Sequence, residues 1–481
     1  MKLREVSRLF ACPAPEGEEG EIEITKIVTS SADADRNSVF YAKDGKHHLA
    51  KDTVKDAIAN GCRAILTNSS TVLDCDTCML RSNRAEKMAF ALEKHLYSDI
   101  LSDMHFVFVT GTKGKTTTAQ LLAHILKKQG IPTATCGTLG FDFQEFHHDL
   151  KNTTPDIFTL LPLFAKGKEM GMLYCVLELS SQALKEGRVD GLRGDYGIFT
   201  GISADHIDSC EHKNFSTYRE AKRRLFTDFG VTSAFSPRAV SLAPLMTYGV
   251  EKQFFIDTKA PSDLTLNVIK MSKSDILYSD GERTDILPLF GEYNLQNASL
   301  ALLCASKILQ SPPHHLFPCL RDFCIAGRGE RWTVSGREVM IDYAHNADSI
   351  EVLAREVRPF CERRMIALCG VVGDKARSRR RAMATVLETY FDVIVLTEDD
   401  TVYEKREDVL LEFYSYFRDK SKVCLLIDRA RAIELALDTS RKGDTVLLLG
   451  KGHEHFLLRE GKSVPLCERE IVENYFLQNT E

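Results

Sequence analysis

The sequence has few of the features that place a chain in a membrane or in an oxidising compartment. No apolar run reaches the ~20 residues that a helix needs to cross a bilayer. The first segment, MKLREVSRLFACPAPEGEEG, turns acidic and proline-bearing where a signal peptide would require an apolar stretch. The 14 cysteines are scattered along the chain, as is usual for reduced thiols in the cytosol. We therefore expect a cytoplasmic protein that does not insert into a membrane.

Two further absences narrow the function. The Cys-x-x-Cys pair of Cys75 and Cys78 has no second pair or nearby histidine to complete a tetrahedral zinc site. The formal net charge of -6 includes no basic excess that would favour sequence-independent binding to nucleic acid. Neither a zinc or redox centre nor a nucleic-acid partner is expected.

What the chain does have is length and an alternating pattern. Its 481 residues exceed the ~250 to 300 at which one hydrophobic core stops growing, so two or three domains are expected. Apolar strands such as HFVFVT, MLYCVLEL and DYGIFTGI alternate with segments of helical period. This alternation predicts an α/β fold with a mostly parallel sheet covered on both faces. We place domain boundaries after residue 98 and after residue 326, where glycines would permit a hinge at Arg328.

The segment VFVTGTKGKTTTAQ has the form of a phosphate-binding loop between a strand and a helix. Its glycines let successive N–H groups point inward, and the following helix offers its positive N-terminus. Lys115 can reach the terminal phosphates of a nucleotide, and the Thr116 hydroxyl can ligate magnesium. The pattern is shorter than the full eight-residue motif. The strand before it and the helix after it favour a site for a nucleoside triphosphate over a plain glycine turn.

Charged residues follow the next two predicted strands, at the edge where doubly wound sheets bind ligands. Glu178 ends MLYCVLEL, and a stretch with His206 and several carboxylates follows DYGIFTGI, just before a helix that carries Lys222. An imidazole with carboxylates suits a cation. Taken alone, His206 is more often an ordinary hydrogen-bonded histidine and Lys222 a solvated helix lysine. The clustering at successive strand ends is what indicates a site.

The part of the chain after residue 326, the third block, repeats this arrangement of charged residues after strands. IDYAHNADS places His345 after a strand, GVVGDKARSRRR places a basic run after another, and LLLGKGHEHF places Gly450 and Glu454 after a third. Such strand-end loops suit a nucleotide and a charged substrate. The basic run is more often a solvated helix face, so Lys375 alone is the better candidate within it.

Together these motifs resemble the Mur ligases of bacterial cell-wall synthesis, and most closely the MurE branch, which adds the third residue of the peptide stem. The matching segments run in order along nearly the whole chain: GTKGKTTTA, NTTPD, LELSSQALKEGRV, ISADHID, YREAKRRLF, GEYNLQNASLALLCA, GRGERW, IDYAHNADS, GDK and LGKGHE. The resemblance implies a small α/β uridine-binding domain (1–98), a central P-loop domain that binds ATP (99–326) and a Rossmann-like domain that binds the amino acid (327–481).

The resemblance also implies a role for each matched residue. ATP would contact Gly111, Thr112, Lys113, Gly114, Lys115, Thr116, Thr117, Asn294, Asn297, Arg328, Asp342 and His345. The UDP-linked substrate would contact Ser31, Asn152, Thr153, Thr154, Ser180 and Arg188. The amino acid would contact Lys375, Asp399, Asp400, Gly450 and Glu454. Magnesium would be held by Thr116, Glu178, His206 and a carbamylated Lys222, and the catalytic residues would be Lys115, Lys222 and His206.

The implied reaction is ATP-dependent amide synthesis. A carboxylate is a poor electrophile, so ATP would first phosphorylate the carboxylate of a UDP-N-acetylmuramoyl dipeptide. The amine of an incoming amino acid would then attack the acyl phosphate, leaving amide, ADP and phosphate. The cofactors implied are ATP and Mg²⁺. The partners are these two substrates, and we expect a monomer.

The amino-acid pocket departs from the family pattern. Members that add diaminopimelate have Asp-Asn-Pro-Arg where this chain has Asp399-Asp400-Thr401-Val402, and Lys375 replaces a second arginine. A lysine cannot give the planar bidentate grip of an arginine on a distal carboxylate. Because the loop is also acidic, the sequence predicts L-lysine or another basic amino acid rather than diaminopimelate.

Three other interpretations stay open at this point. The first domain has Ser30-Ser31-Ala32 in place of Asp-Ser-Arg, which fits a diverged Mur-type ligase that joins another amine or carboxylate outside the main pathway. Folylpolyglutamate synthase has the same core but lacks a uridine-binding domain at the front. A non-catalytic nucleotide-dependent binding protein would need no amino-acid pocket, so it is less favoured.

Overall fold

A computed structural model describes residues 1–42, 50–68, 77–203, 212–238, 250–257, 260–373, 377–459 and 461–479. Two of the predicted site residues, His206 and Lys375, lie outside these ranges.

The first block contains a parallel sheet packed against short helices. Its helices are α1 Leu3–Leu9, α2 Ala50–Ala59, α3 Ala85–Leu96 and α4 Ser98–Ser102. Its strands are β1 Lys26–Val28, β2 Ser38–Ala42, β3 Ala64–Thr67 and β4 Cys78–Arg81, which pair in that order and all in parallel. β2 and β3 are buried at every position, as expected for strands covered on both faces.

The middle block is built on a long, mainly parallel sheet. Its strands are β5 His105–Thr110, β6 Thr133–Gly137, β7 Gly140–Phe143, β8 Phe146–His148, β9 Tyr174–Glu178, β10 Tyr196–Phe199, β11 Ser233–Pro237, β12 Lys252–Asp257 and β13 Leu264–Thr265. They lie in the order β13-β12-β11-β10-β5-β9-β6-β7-β8, and the pairings around β7 are antiparallel. The P-loop strand β5 is therefore central, between β9 and β10.

The helices of the middle block are α5 Lys115–Lys128, α6 Ile157–Glu169, α7 Ser181–Glu186, α8 Phe215–Asp228 and α9 Glu292–Leu309. Their starts follow ordinary capping chemistry: the side chains of Asp156, Ser180 and Asn214 accept backbone N–H bonds at the starts of α6, α7 and α8. An antiparallel sheet of β14 Asn267–Met271, β15 Ile276–Ser279 and β16 Thr284–Leu287 leads into α9. Apolar side chains of α9 share one core cluster with those of α5.

The third block has a second mainly parallel sheet. Its strands are β17 Arg328–Val334, β18 Arg337–Asp342, β19 Met365–Cys369, β20 Val393–Leu396, β21 Val423–Leu425 and β22 Thr445–Leu449, followed by the hairpin of β23 Phe456–Arg459 and β24 Lys462–Pro465. The sheet order is β17-β18-β22-β19-β20-β21, and the pairing of β17 with β18 is antiparallel. The helices are α10 Ala347–Val357, α11 Arg377–Tyr390, α12 Arg406–Ser415, α13 Arg429–Thr439 and α14 Glu468–Gln478.

The predicted α/β class with parallel sheets is confirmed. The exact boundaries after residues 98 and 326 stay predictions. In the described ranges, no helix combines the length and apolarity that a membrane span requires.

Candidate active site

The loop between β5 and α5 is shaped by two glycines with positive φ. Gly111 has a φ of 156° and Gly114 a φ of 81°. Gly114 lies directly against α9, because a Cβ there would overlap the Asn297 side-chain oxygen. Lys115 opens α5, and its Nζ donates to the carbonyl oxygens of Gly111 (3.0 Å) and Thr112 (3.2 Å). The ammonium is thus folded over the loop, where a phosphate group would meet it.

Two asparagines of α9 support this loop from below. The Thr118 hydroxyl donates to Asn297 Oδ1 at 3.3 Å, and the Asn297 amide donates to Asn294 Oδ1 at 3.2 Å. The Asn294 amide in turn donates to the Phe290 carbonyl at 2.7 Å. Both side chains are buried. Their described contacts bind α9 to the first turn of α5, and a contact with ATP stays a prediction.

Glu178, at the end of β9, is the buried carboxylate of the site. Its Oε2 accepts from the Thr116 hydroxyl at 2.8 Å, and its Oε1 accepts from the Thr138 backbone N–H at 3.0 Å. Only 2% of Glu178 is exposed. Burial raises the pKa of the Glu178 carboxyl above its ordinary value, although Lys115 and the bond from Thr116 act in the opposite direction. A cation at this position would offset the cost of burying the charge.

Lys222, on α8, is buried, whereas a lysine on a helix is usually solvated. Only 1% of it is exposed. Its Nζ donates to the Gly111 carbonyl at 2.7 Å and lies 4.7 Å from the centre of the Tyr218 ring. Because Lys115 donates to the same carbonyl, the two lysines meet at Gly111. The structure therefore brings Lys115, Lys222 and the Thr116–Glu178 pair to neighbouring strand ends.

A cavity of about 210 Å³ opens at this point. It is lined by Gly111, Lys115, Asn152, Thr153, Ser180, Ser181, Gln182, Arg188 and Lys222. Residues predicted for the nucleotide and residues predicted for the UDP-linked substrate therefore share one space. Its lining carries three cations, which suits anionic ligands.

Two residues predicted for the UDP-linked substrate lie elsewhere. Thr154 is buried behind the cavity, and its hydroxyl donates to the Glu178 carbonyl at 2.8 Å and accepts from Ser180 N at 2.9 Å. Its side chain therefore orients the neighbouring strand ends and does not line the cavity. Ser31 belongs to the first block, where its carbonyl accepts from the Asn60 amide at 2.8 Å.

The third block contributes an aromatic and cationic cluster next to the loop. The Arg328 guanidinium lies 4.4 Å from the centre of the Tyr343 ring, which also packs against His345 and His453. Burial and Arg328 lower the pKa of His453 to about 4, and the backbone of Thr138 in the middle block acts in the opposite direction. Burial raises the pKa of Asp342, partly offset by Arg328. Arg328 also acts on the Glu178 carboxylate, so the two blocks meet at the site.

The loops proposed for the amino acid form a second cluster in the third block. The Lys451 Nζ bonds Asp400 Oδ1 at 2.9 Å and pairs with Glu454, which accepts from the Tyr343 hydroxyl at 3.1 Å. Burial alone would lower the pKa of Lys451, but the carboxylates of Asp399, Glu454 and Asp400 raise it.

The acidity of this loop is smaller than its composition indicates. Glu398 pairs with Arg459 and Arg406, and Glu404 pairs with Arg380. Asp400 is bonded to Lys451, so of the four carboxylates in this loop all except that of Asp399 already have cationic partners. These pairings are not visible in the sequence, because every partner except Arg406 lies more than 20 residues away.

Oxygen ligands at the loop fit magnesium. The Thr116 hydroxyl and the buried Glu178 carboxylate are hard oxygen donors 2.8 Å apart, next to a cavity lined by lysines. The Lys222 amine is not a ligand as it stands, since an ammonium has no lone pair to offer. Among the described residues, no cluster of three or more His, Cys, Asp or Glu side chains has the form of a metal site.

Three further residues, not predicted from the sequence, shape the site. Thr138, after β6, donates to Glu178 with its backbone and its hydroxyl. The Tyr218 hydroxyl bonds the Thr112 hydroxyl at 2.9 Å, and its spacing of four from Lys222 on one helix was the available signal. Arg429 is wholly buried beneath the Asp399 loop.

Sequence comparisons agree with this geometry. The profile of the Mur ligase middle domain matches residues 109–305, and that of the Mur ligase glutamate ligase domain matches residues 327–452. The two matches together span about two thirds of the chain. The chain belongs to the Mur ligase family. It is therefore an ATP-dependent ligase that forms ADP.

Curated relatives of this Mur ligase are named UDP-N-acetylmuramoyl-L-alanyl-D-glutamate–2,6-diaminopimelate ligase. The protein from Coxiella burnetii is 28% identical over 452 residues, covering 90% of this chain and 92% of its own length. The protein from Synechococcus elongatus is 29% identical over 482 residues, covering 94% and 95%.

Solved structures show the same fold. A UDP-N-acetylmuramoyl-L-alanyl-D-glutamate–2,6-diaminopimelate ligase aligns with a TM-score of 0.65 at 21% identity, covering 100% of this Mur ligase and 99% of that chain. MurF from Thermotoga maritima, solved with ADP, aligns with a TM-score of 0.65 at 16% identity, covering 94% and 96%. Folylpolyglutamate synthase from Mycobacterium tuberculosis aligns with a TM-score of 0.59 at 17% identity, covering 90% of that chain but only 74% of this one.

Proposed function

We propose that this Mur ligase adds the third amino acid to UDP-N-acetylmuramoyl-L-Ala-D-Glu in the cytoplasm, as a step of peptidoglycan precursor synthesis. The observation that carries the proposal is the shared cavity. Lys115 faces it from the loop between β5 and α5, and Lys222 faces it from α8. Asn152, Thr153 and Arg188 face it from the segments that resemble the sugar-nucleotide site. The names of the relatives support the same choice of substrate.

The chemistry follows from placing an activated acid and an amine together. An oxygen of the dipeptide carboxylate attacks the γ-phosphorus of ATP, and ADP leaves. The ammonium of Lys115 lies over the loop and stabilises the charge that develops on the transferred group. The amine nitrogen then attacks the acyl carbon, phosphate leaves, and the nitrogen loses a proton.

Thr116 and Glu178 would hold Mg²⁺ in this reaction, together with His206 and a carbamylated Lys222. The ion supplies charge neutralisation for the phosphates when bound. The protein's own residues do the rest of the positioning. The Thr138 N–H and hydroxyl fix the Glu178 carboxylate, and Tyr218 holds Thr112 in the loop.

We further propose L-lysine or another basic amino acid, rather than diaminopimelate, as the third residue. Val402 stands where the diaminopimelate-adding pattern has arginine, so no bidentate partner for a distal carboxylate is present at that position. Since Glu398, Asp400 and Glu404 pair within the chain, attraction of a second amine would depend on Asp399.

One experiment tests both parts. The protein is incubated with ATP, Mg²⁺ and UDP-N-acetylmuramoyl-L-Ala-D-Glu, and an amino-acid panel is scored for phosphate release and for product mass. We expect turnover with lysine or ornithine and little with diaminopimelate, and we expect Val402→Arg to shift the preference towards diaminopimelate. Turnover with diaminopimelate alone would contradict the amino-acid assignment. An untouched dipeptide would instead favour a diverged ligase.

A further inference from the structure

Arg429 is the first residue of α13, yet its side chain points into the third block and none of it is exposed. A cation in the first turn of a helix opposes the helix dipole, so tertiary contacts must hold it there. Its Nε donates to Glu468 Oε1 at 2.9 Å, Nη1 donates to the Glu398 carbonyl at 2.9 Å, and Nη2 donates to the Leu449 carbonyl at 2.7 Å. The guanidinium thus joins three separate elements.

The two carbonyls belong to the two loops proposed for the amino acid. Glu398 directly precedes Asp399, and Leu449 directly precedes Gly450. Their strands, β20 and β22, are not neighbours, because β19 lies between them. Strands two positions apart in a sheet are separated by about 10 Å, so no backbone ladder joins these ends. Arg429 spans that gap with side-chain bonds.

The distance between the loops matters because they pack directly on each other. Gly450 has a φ of 109°, and a Cβ there would lie 2.9 Å from Asp399 Oδ2 and 3.9 Å from Arg429 Nη2. The Asp399 carboxylate therefore rests on the bare backbone of Gly450, beside the guanidinium. A small shift of either strand end would change the position of the carboxylate.

Glu468 completes the arrangement. It opens α14, where a carboxylate favours the positive end of the helix dipole, and it too is buried. Burial of a paired Arg and Glu adds no net charge to the pocket. Three hydrogen bonds from one rigid planar group also give directional control that apolar packing does not.

We propose that Arg429, held by Glu468, is a positioning residue that sets the spacing between the Asp399 and Gly450 loops and thereby the amino-acid specificity. The proposal rests on the function proposed above for those loops. Arg429 is too deeply buried to contact the amino acid itself, so it acts through the two carbonyls.

The test replaces both partners at once, as Arg429→Met with Glu468→Met. Removing one partner would leave an unpaired buried charge and unfold the domain, whereas replacing a buried ion pair with apolar residues of similar size often leaves stability unchanged. We expect the KM for the amino acid to rise about ten- to a hundredfold, and discrimination within the panel to fall, because small misplacements in a site have effects of this size. The KM for ATP should change less than twofold.

The control is a second ion pair of the same sheet, at the amino-terminal ends of β19 and β22. Arg364 bonds Asp444 at 2.6 Å and the Thr439 carbonyl at 2.9 Å, away from the strand ends that carry the pocket. Arg364→Met with Asp444→Asn should alter stability and leave both KM values in place. Equal increases in both KM values for the Arg429 double variant, or none, would overturn the proposal.

A second measurement does not depend on activity. Hydrogen exchange followed by mass spectrometry should show faster exchange in peptides covering 399–402 and 450–454 of the double variant, with unchanged exchange in the nucleotide loop. Unchanged exchange in both loops would refute the positioning role. If the wild-type protein turns over no amino acid in the panel, the proposed function fails, and this measurement still decides the role of Arg429.

Discussion

Buried charges in this Mur ligase differ in whether a partner compensates them. Lys222 bonds a carbonyl and packs on Tyr218, and Arg429 pairs with Glu468. The carboxyl group of Glu93, on α3, is buried with fewer compensating contacts than these two residues have. Its Oε2 accepts from the Ile27 N–H at 3.2 Å, and its Oε1 has no hydrogen-bond partner among the described residues. Burial, with a further contribution from Asp156, raises the pKa of Glu93 to about 8.

This raised pKa predicts a stability that falls with pH. Between the ordinary value of 4.5 and about 8, the folded protein keeps a proton on Glu93 that the unfolded chain has lost. The stability contributed by this protonation is therefore complete below pH 4.5 and is lost as pH rises through 8, by about 5 kcal/mol in total. Glu93→Gln removes the titration. We expect its urea midpoint to exceed that of the wild type at pH 8.5 and to match it near pH 5, and parallel pH profiles would count against the assignment.

At the residue scale, the sequence was informative where the chemistry is local. Gly111, Gly114, Lys115 and Thr116 are consecutive or nearly so, and a strand and a helix flank them as the phosphate-loop pattern requires. Partners brought in by the fold were not predictable in this way. The sequence around Glu398 does not indicate that this carboxylate pairs with Arg459, 61 residues away.

At the scale of elements, hydrophobic periodicity predicted the third block closely. The sequence has helical period near 348–358, 380–390, 405–418 and 429–438, and these segments correspond to α10, α11, α12 and α13. The β7–β8 extension of the large sheet and the helix α14 were missed. β8 is three residues long and mostly exposed, so its burial pattern carries no signal. The acidic start and mixed faces of α14 hid its periodicity.

The turn after β20 is strained, and this strain can be measured. Val402 has a φ of 56°, a region that β-branched residues avoid, and among the described non-glycine residues with positive φ it is the β-branched one. Two backbone bonds hold it, from Val402 N to the Leu458 carbonyl at 3.2 Å and from Gly461 N to the Val402 carbonyl at 2.8 Å.

Val402→Asn should therefore stabilise the protein by about 1 kcal/mol, because asparagine tolerates this conformation at lower cost. Urea unfolding at one pH gives the difference. Val402→Ala keeps a Cβ and loses only the branch, so its midpoint should fall between the other two. A lower midpoint for Val402→Asn than for the wild type would show that the side chain's packing outweighs the strain.

At the scale of the whole molecule, the middle and third blocks approach each other at several points, in addition to His453 and Thr138. The Phe290 and Phe360 rings pack edge to face, with their centres 5.7 Å apart. Burial of Glu356, on α10, together with the Glu292 carboxylate at the start of α9, raises the pKa of Glu356 to about 7, and the Glu292 backbone acts in the opposite direction. The sequence placed a hinge at the glycines around Arg328. In the structure Gly327 is also a point of close approach, since a Cβ there would overlap the backbone of Gly452 and His453.

That close approach predicts a specific defect for Gly327→Ala, for which Gly329→Ala is the matched control. Gly327 and Gly329 have φ of 63° and 70°, so each alanine incurs a similar backbone cost of about 1 kcal/mol. A Cβ at Gly329 meets nothing closer than the Met340 methyl at 3.9 Å, whereas one at Gly327 must displace the loop that carries His453. An acyl phosphate exposed by that displacement would be hydrolysed before the amine reaches it. With the substrates proposed above, Gly327→Ala should therefore release more ADP than amide, with amide formation at least about tenfold slower, while Gly329→Ala keeps the two products equal. Tight coupling in both variants would mean that contact at Gly327 is not what keeps water from the intermediate.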